Sequence, residues 1–204
     1  MKSKYKYYDS AYDFLSRRQY YGRMIFPKSN SLFSEILQSK KNALPTNLPI
    51  VFRGLCFGDS PEIISGKLGK PRFVMENQGI SSLVFFYKEK INHHSVITQV
   101  RFLDEEFFCA SYAFRYENNE ERITIKKMLF EKYANLNGTT FEKNNSLADN
   151  LGNGIFIFDS VFLNILYLWG NEKVEQAVSG SVHSPHFLEG VKKKKVEEEL
   201  FSKL

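Results

Sequence analysis

The sequence predicts an α+β fold in which a twisted antiparallel sheet carries helices mainly on one face. Three observations lead there. Residues Gly58 to Pro71 spell a short helix with both ends marked, followed by closely spaced strand patterns. Val96 to Phe102 and Phe108 to Tyr116 alternate with a period of two around Asp104-Glu105-Glu106, the pattern of an antiparallel hairpin. The chain also has 19 Phe and 11 Tyr against a single Trp, an aromatic core that suits strands better than long helices.

Within the capped helix, Ser60 suits the N-cap, Pro61 the first helical position and Glu62 the positive end of the dipole. Gly69 closes the last turn in a left-handed conformation, and Pro71 lacks the N–H needed to continue. Ile63, Ile64 and Leu68 are left for one buried face. Upstream, Tyr8, Ala11, Tyr12 and Leu15 recur at helical spacing, as do Leu32, Phe33, Ile36 and Leu37. Asn42 to Pro49, with two prolines and Asn47, reads as an extended connector.

Downstream of the capped helix, Arg72 to Glu76 and Leu83 to Lys88 read as strands around an Asn77-Gln78-Gly79 turn. Val96, Thr98, Val100 and Phe102 share one face, with Gln99 and Arg101 on the other; Phe108, Ala110, Tyr112, Phe114 and Tyr116 continue the pattern. A helix is expected over Asn119 to Ala134, with Ile125, Met128, Leu129 and Tyr133 as its apolar stripe. Thr139 to Lys143, Gly154 to Phe158 and Val161 to Trp169 complete the strands, and the last two are apolar enough to be covered on both faces. The order helix, strands, helix, strands fits two pseudo-repeated units or a single sheet. Val191 to Phe201 suggests a charged terminal helix. The expected divisions are a basic, aromatic-rich helical segment over 1–49, an antiparallel α+β body over 50–190 and a charged helix or tail over 191–204.

Charge is uneven. Residues 1–42 hold nine basic and three acidic side chains, residues 43–190 hold 14 and 17, and the tail holds five and three, so the ends are basic and the body mildly acidic. Cys56 and Cys109 are too few for a disulfide framework or a zinc cage and read as buried free thiols. No apolar run is long enough to span a bilayer or to serve as a signal peptide, and a cytoplasmic location is expected.

The pattern Gly58-x-Ser60-x-Glu62-x-Ile64, then Leu68-Gly69-x-Pro71, followed by antiparallel strands, resembles the repeat of β-lactamase-inhibitor proteins and of small outer-membrane assembly lipoproteins. The resemblance covers roughly Gly54 to Tyr116. It implies short helices packed on an antiparallel sheet and a role in binding other proteins, and it carries over no functional residues. The leader, lipid-attachment cysteine and disulfide expected of exported members have no counterpart in the pattern read here.

Catalytic signatures are missing. Gly66-Lys67-Leu68-Gly69-Lys70 has Ile64 where a phosphate loop needs glycine and Pro71 where it needs Ser or Thr. Asp104-Glu105-Glu106 reads as a solvated turn. His93-His94 would point to opposite faces of a strand unless a turn brings both inward, and His183 and His186 lie around Pro185 in a loop, where a carboxylate such as Asp159 or Glu189 would be needed to complete a site. No metal, cofactor or catalytic residue is assigned. The expected function is a non-enzymatic protein-binding or regulatory module with a protein partner, using Tyr12, Arg17, Arg18, Tyr20, Tyr21 and Arg23. The alternatives are nucleic-acid binding through that basic, aromatic segment, where cations neutralise phosphates and rings stack on bases, and an enzyme whose groups converge from distant positions.

Overall fold

A computed structural model describes residues 11–134 and 145–182. The expected α+β class is observed. In chain order the elements are α1 (Ala11–Met24), α2 (Asn30–Ser39) with a 3-10 turn at Lys40–Asn42, β1 (Leu44–Thr46), α3 (Pro61–Leu68), β2 (Phe73–Gln78), β3 (Ser81–Ile91), β4 (His94–Leu103), β5 (Glu106–Phe114), α4 (Asn119–Ala134), β6 (Ser146–Asp149), β7 (Gly154–Asp159), β8 (Leu163–Leu168) and α5 (Glu172–Val182). Among the described residues the eight strands form one sheet, ordered β1-β6-β7-β8-β5-β4-β3-β2. Every pairing is antiparallel except β1 with β6. No described helix is long and apolar enough to cross a membrane.

The α3 ends follow their residues. Ser60 accepts the Ile63 N–H, Pro61 opens the helix, and Gly69 adopts φ +81°, a conformation costly to any residue with a Cβ. The loop after it brings Arg72 onto β3, its N–H donating to the Phe86 carbonyl at 2.7 Å. β4 turns into β5 through Asp104 and Glu105, both at positive φ as a two-residue hairpin turn demands. Lys173 at the start of α5 pairs with Glu106 at 2.8 Å and Asp104 at 3.6 Å.

Helices cover both faces of the sheet, which corrects the expectation of helices mainly on one face. On one side α3, α4 and the loop around Ile50, Phe52 and Leu55 pack over Phe85, Val100, Phe107, Ile155, Ile165 and Tyr167. On the other, α2 and α5 cover Phe108, Leu166 and Leu168, while α1 lays Tyr21 and Ile25 over Phe73, Phe86 and Ile97. The physical reason lies in the strands: β8 is buried at all six positions and β4 at its last eight, so one layer of helices leaves apolar side chains in water.

Other expectations shift for local reasons. Within the expected connector, Leu44–Thr46 adds a short parallel edge strand to β6, so the sheet is mixed. The β4–β5 register slips between Arg101 and Phe102: Arg101 pairs with Cys109 and Phe102 with Phe107, leaving Phe108 as an extra residue. Phe108 therefore lies on the opposite face from Phe107, Ala110 and Phe114, and Tyr116 falls beyond the strand, exposed. On α4, Phe130 and Tyr133 are buried whereas Met128 is exposed. Cys109 is buried but Cys56 is exposed. The strand expected at Thr139–Lys143 and the terminal helix lie outside the described residues.

Gln99 and Arg101, the polar residues on the second face of β4, are buried. Gln99 accepts the Phe26 N–H at 3.0 Å and donates to the Met24 carbonyl at 2.7 Å. Arg101 is 2% exposed and donates to Ser81 Oγ, the Pro27 carbonyl and the Gln78 carbonyl at 2.8, 2.9 and 3.1 Å. These two side chains hold the α1–α2 linker against the sheet, pairing backbone groups that burial would otherwise leave unsatisfied.

A candidate binding groove

α1 is docked through its aromatic residues. The Tyr21 ring stacks on Phe73 with centroids 5.0 Å apart and meets Phe86 at 4.9 Å. Arg17, one turn earlier on the same helix, is carried by that docking to the end of the sheet where β2 is the edge strand. There Arg17, Leu68, Lys70, Pro71, Arg72, Tyr87, Lys88 and Glu89 line a groove of about 430 Å³. Lys70, Arg72 and Lys88 are exposed and Arg17 is half-buried.

Glu89 is the acidic side chain of this lining, and it is engaged. Arg53 Nη1 approaches its two oxygens at 2.8 and 2.6 Å, and the Thr98 hydroxyl donates to Oε1. Arg53 engages the carboxylate of a lining that also carries the basic side chains of Arg17, Lys70, Arg72 and Lys88. Burial raises the pKa of the Tyr87 phenol, so it contributes a neutral ring to the groove at physiological pH. The arrangement gathers basic side chains from a helix, a loop and a strand around one trough at the β2–β3 end of the sheet.

The residues expected to bind a partner separate into different roles. Arg17 lines the groove. Arg18 and Arg23 are exposed elsewhere on α1. Tyr21 is buried in the core, and Tyr20 is occupied by Arg115, whose guanidinium donates to its hydroxyl and lies 5.5 Å from its ring. The Tyr12 side chain lies outside the described residues, as do His183, His186 and Glu189. Asp159, the described carboxylate considered with those histidines, is held by Arg122 and Lys126, each at 2.8 Å. Lys70, Arg72 and Lys88 were not singled out by sequence, because helix α3's exit loop and the β2–β3 pairing bring them together. The available signal was Lys70-Pro71-Arg72, a basic pair directly after a helix stop.

Among the described residues, His93, His94 and Glu121 form a cluster with metal-ligand chemistry. They meet at the β3–β4 turn and the first turn of α4, so the turn, and not a strand, sets the two adjacent histidines side by side. No family model, curated protein or solved structure matches the chain.

Proposed function

We propose that this protein is a non-enzymatic, cytoplasmic binding module that receives an acidic segment of a partner protein in the groove between the α3–β2 loop and β3, with Arg72 and Lys88 reading its carboxylates. The observation that carries this reading is the gathering of basic side chains from α1, the α3–β2 loop and β3 around one groove. The side chains of such a segment would supply the charge opposite to Arg72 and Lys88. Burial of Tyr21 and engagement of Tyr20 favour charge recognition over aromatic anchoring. The resemblance of the Gly58 to Pro71 pattern to protein-binding families points the same way.

The test uses the full chain and a fluorescent glutamate-rich decapeptide, with a single-stranded oligonucleotide of equal charge run beside it. Saturable peptide binding that weakens about tenfold in the Arg72→Glu, Lys88→Glu double variant, and falls with added salt, is expected. Peptide affinity unchanged by the double variant rejects the groove. Tighter binding of the oligonucleotide, lost in the same variant, replaces the protein partner with nucleic acid.

A further inference from the structure

The turn between β3 and β4 places two imidazoles side by side. Ile91 pairs with His94 at the end of the ladder, and Asn92 takes φ +55°, so the chain reverses within Asn92-His93. The alternation that would separate neighbouring strand residues ends there. The two rings lie with centroids 3.9 Å apart.

The start of α4 supplies carboxylates to the same place. Asn118 and Glu121 cap each other: Asn118 Oδ1 accepts the Glu121 N–H at 3.0 Å, and Glu121 Oε2 accepts the Asn118 N–H at 2.8 Å. This reciprocal bond fixes the Glu121 carboxylate with its other oxygen, Oε1, 3.4 Å from His93 Nε2. Glu117, with a side chain only 2% exposed, accepts the Tyr116 N–H through Oε2 and sets Oε1 3.3 Å from His94 Nδ1.

One ligand atom each from His93, His94 and Glu121 lies within 4.8 Å of the other two. Metal–ligand bonds of about 2.0–2.1 Å at tetrahedral angles put ligand atoms about 3.3 Å apart. The His93–Glu121 separation already matches that edge, and the widest pair exceeds it by about 1.5 Å at most, within reach of a side-chain rotation of the exposed His93. We propose that His93, His94 and Glu121 bind one divalent transition-metal ion, zinc by the character of the donor set, with Glu117 orienting His94. Two imidazoles and a carboxylate are the borderline-to-hard donors that zinc accepts, and a carboxylate beside a ligating imidazole is its usual supporting partner. The ion ties the β3–β4 tip to the first turn of α4 and leaves a fourth position for water or a group from a partner.

The experiment titrates Co²⁺ and Zn²⁺ into metal-stripped full-length protein, reading cobalt absorption and calorimetry, with melting temperature followed in parallel. Expected are one equivalent per chain, the intense visible bands of low-coordinate cobalt, and a melting temperature that rises with metal concentration because the ion binds the folded state. His93→Ala and Glu121→Gln should each weaken binding at least about tenfold. Both variants keep the fold testable: the His93 side chain is 73% exposed, and glutamine retains the helix cap. A His183→Ala, His186→Ala double variant should bind as the parent does. Absence of saturable binding, full affinity in His93→Ala, or loss of binding in the His183, His186 variant alone each overturns the assignment.

Discussion

Replacing Arg101 with methionine tests what holds the α1–α2 linker to the sheet. The guanidinium is wholly enclosed, stacks 4.9 Å from the Phe33 ring and directs its three nitrogens to three separate acceptors, two of them main-chain carbonyls. Burial lowers its pKa to about 10, so it remains a cation at neutral pH. A hydrogen bond from a charged donor supplies about 1.5–3 kcal/mol, and each buried acceptor left without a donor costs about 1–3 kcal/mol. Against this stands the desolvation of the cation, which methionine removes. Three bonds outweigh that relief in part, and a net loss of about 3–5 kcal/mol is expected. Arg101→Lys should fall between, since one ammonium cannot reach three acceptors in divergent directions. Urea unfolding of the three proteins at pH 7 reads the difference. A methionine variant within about 0.5 kcal/mol of the parent, or more stable, would refute the reasoning and mean that desolvation cancels the three bonds.

Asp159 links the β7–β8 turn to α4, and its carboxyl is held below the ordinary range: partial burial pushes it up, but hydrogen bonds and charge from Lys126 and Arg122 outweigh that. A lowered folded pKa gives stability that is complete above the unfolded value of about 3.9 and is lost as pH falls through the folded value. Asp159→Asn should therefore be less stable by about 1 kcal/mol or less at pH 7, with the gap closing near pH 2; a gap that widens on acidification contradicts this. The two thiols should differ in reactivity, because Cys56 is exposed whereas burial pushes Cys109 up to about 12 despite the opposing charge of Arg101. A thiol reagent should label one cysteine per native chain and two in urea, and native labelling of both contradicts the enclosure of Cys109.

Local signals were legible where the residues themselves decide the outcome. Ser60, Pro61 and Gly69 fix α3 through backbone groups within a few residues, and the expected span of α4, Asn119 to Ala134, is the one observed. The face of α4 was less legible because apolar residues surround the helix. Its neighbours choose: the Thr46 hydroxyl donates to the Tyr133 carbonyl, and the Tyr133 hydroxyl points to the Val51 carbonyl, bringing Phe130 inward and Met128 outward. Gln99 and Arg101 show the same dependence on distant partners. Polar side chains alternating with apolar ones mark a solvent face only when no distant segment brings carbonyls to meet them. The groove lay further from view, since Arg17 belongs to α1 and its companions to α3's exit loop and β3. Only docking of Tyr21 onto Phe73 and Phe86 brings them together.

The packing of α2 against α5 has a consequence during synthesis. Phe33 and Ile36 share one apolar cluster with Val174 and Val178, so the N-terminal helix is translated long before the helix that shields it. At 5–20 residues per second the intervening stretch of about 140 residues takes roughly 7–28 s to emerge. Throughout that interval the apolar stripe lacks the cover that α5 gives it. A ribosome that stalls before Glu172 would release a chain in which that stripe is never sealed, and such fragments become substrates for holding chaperones and proteases.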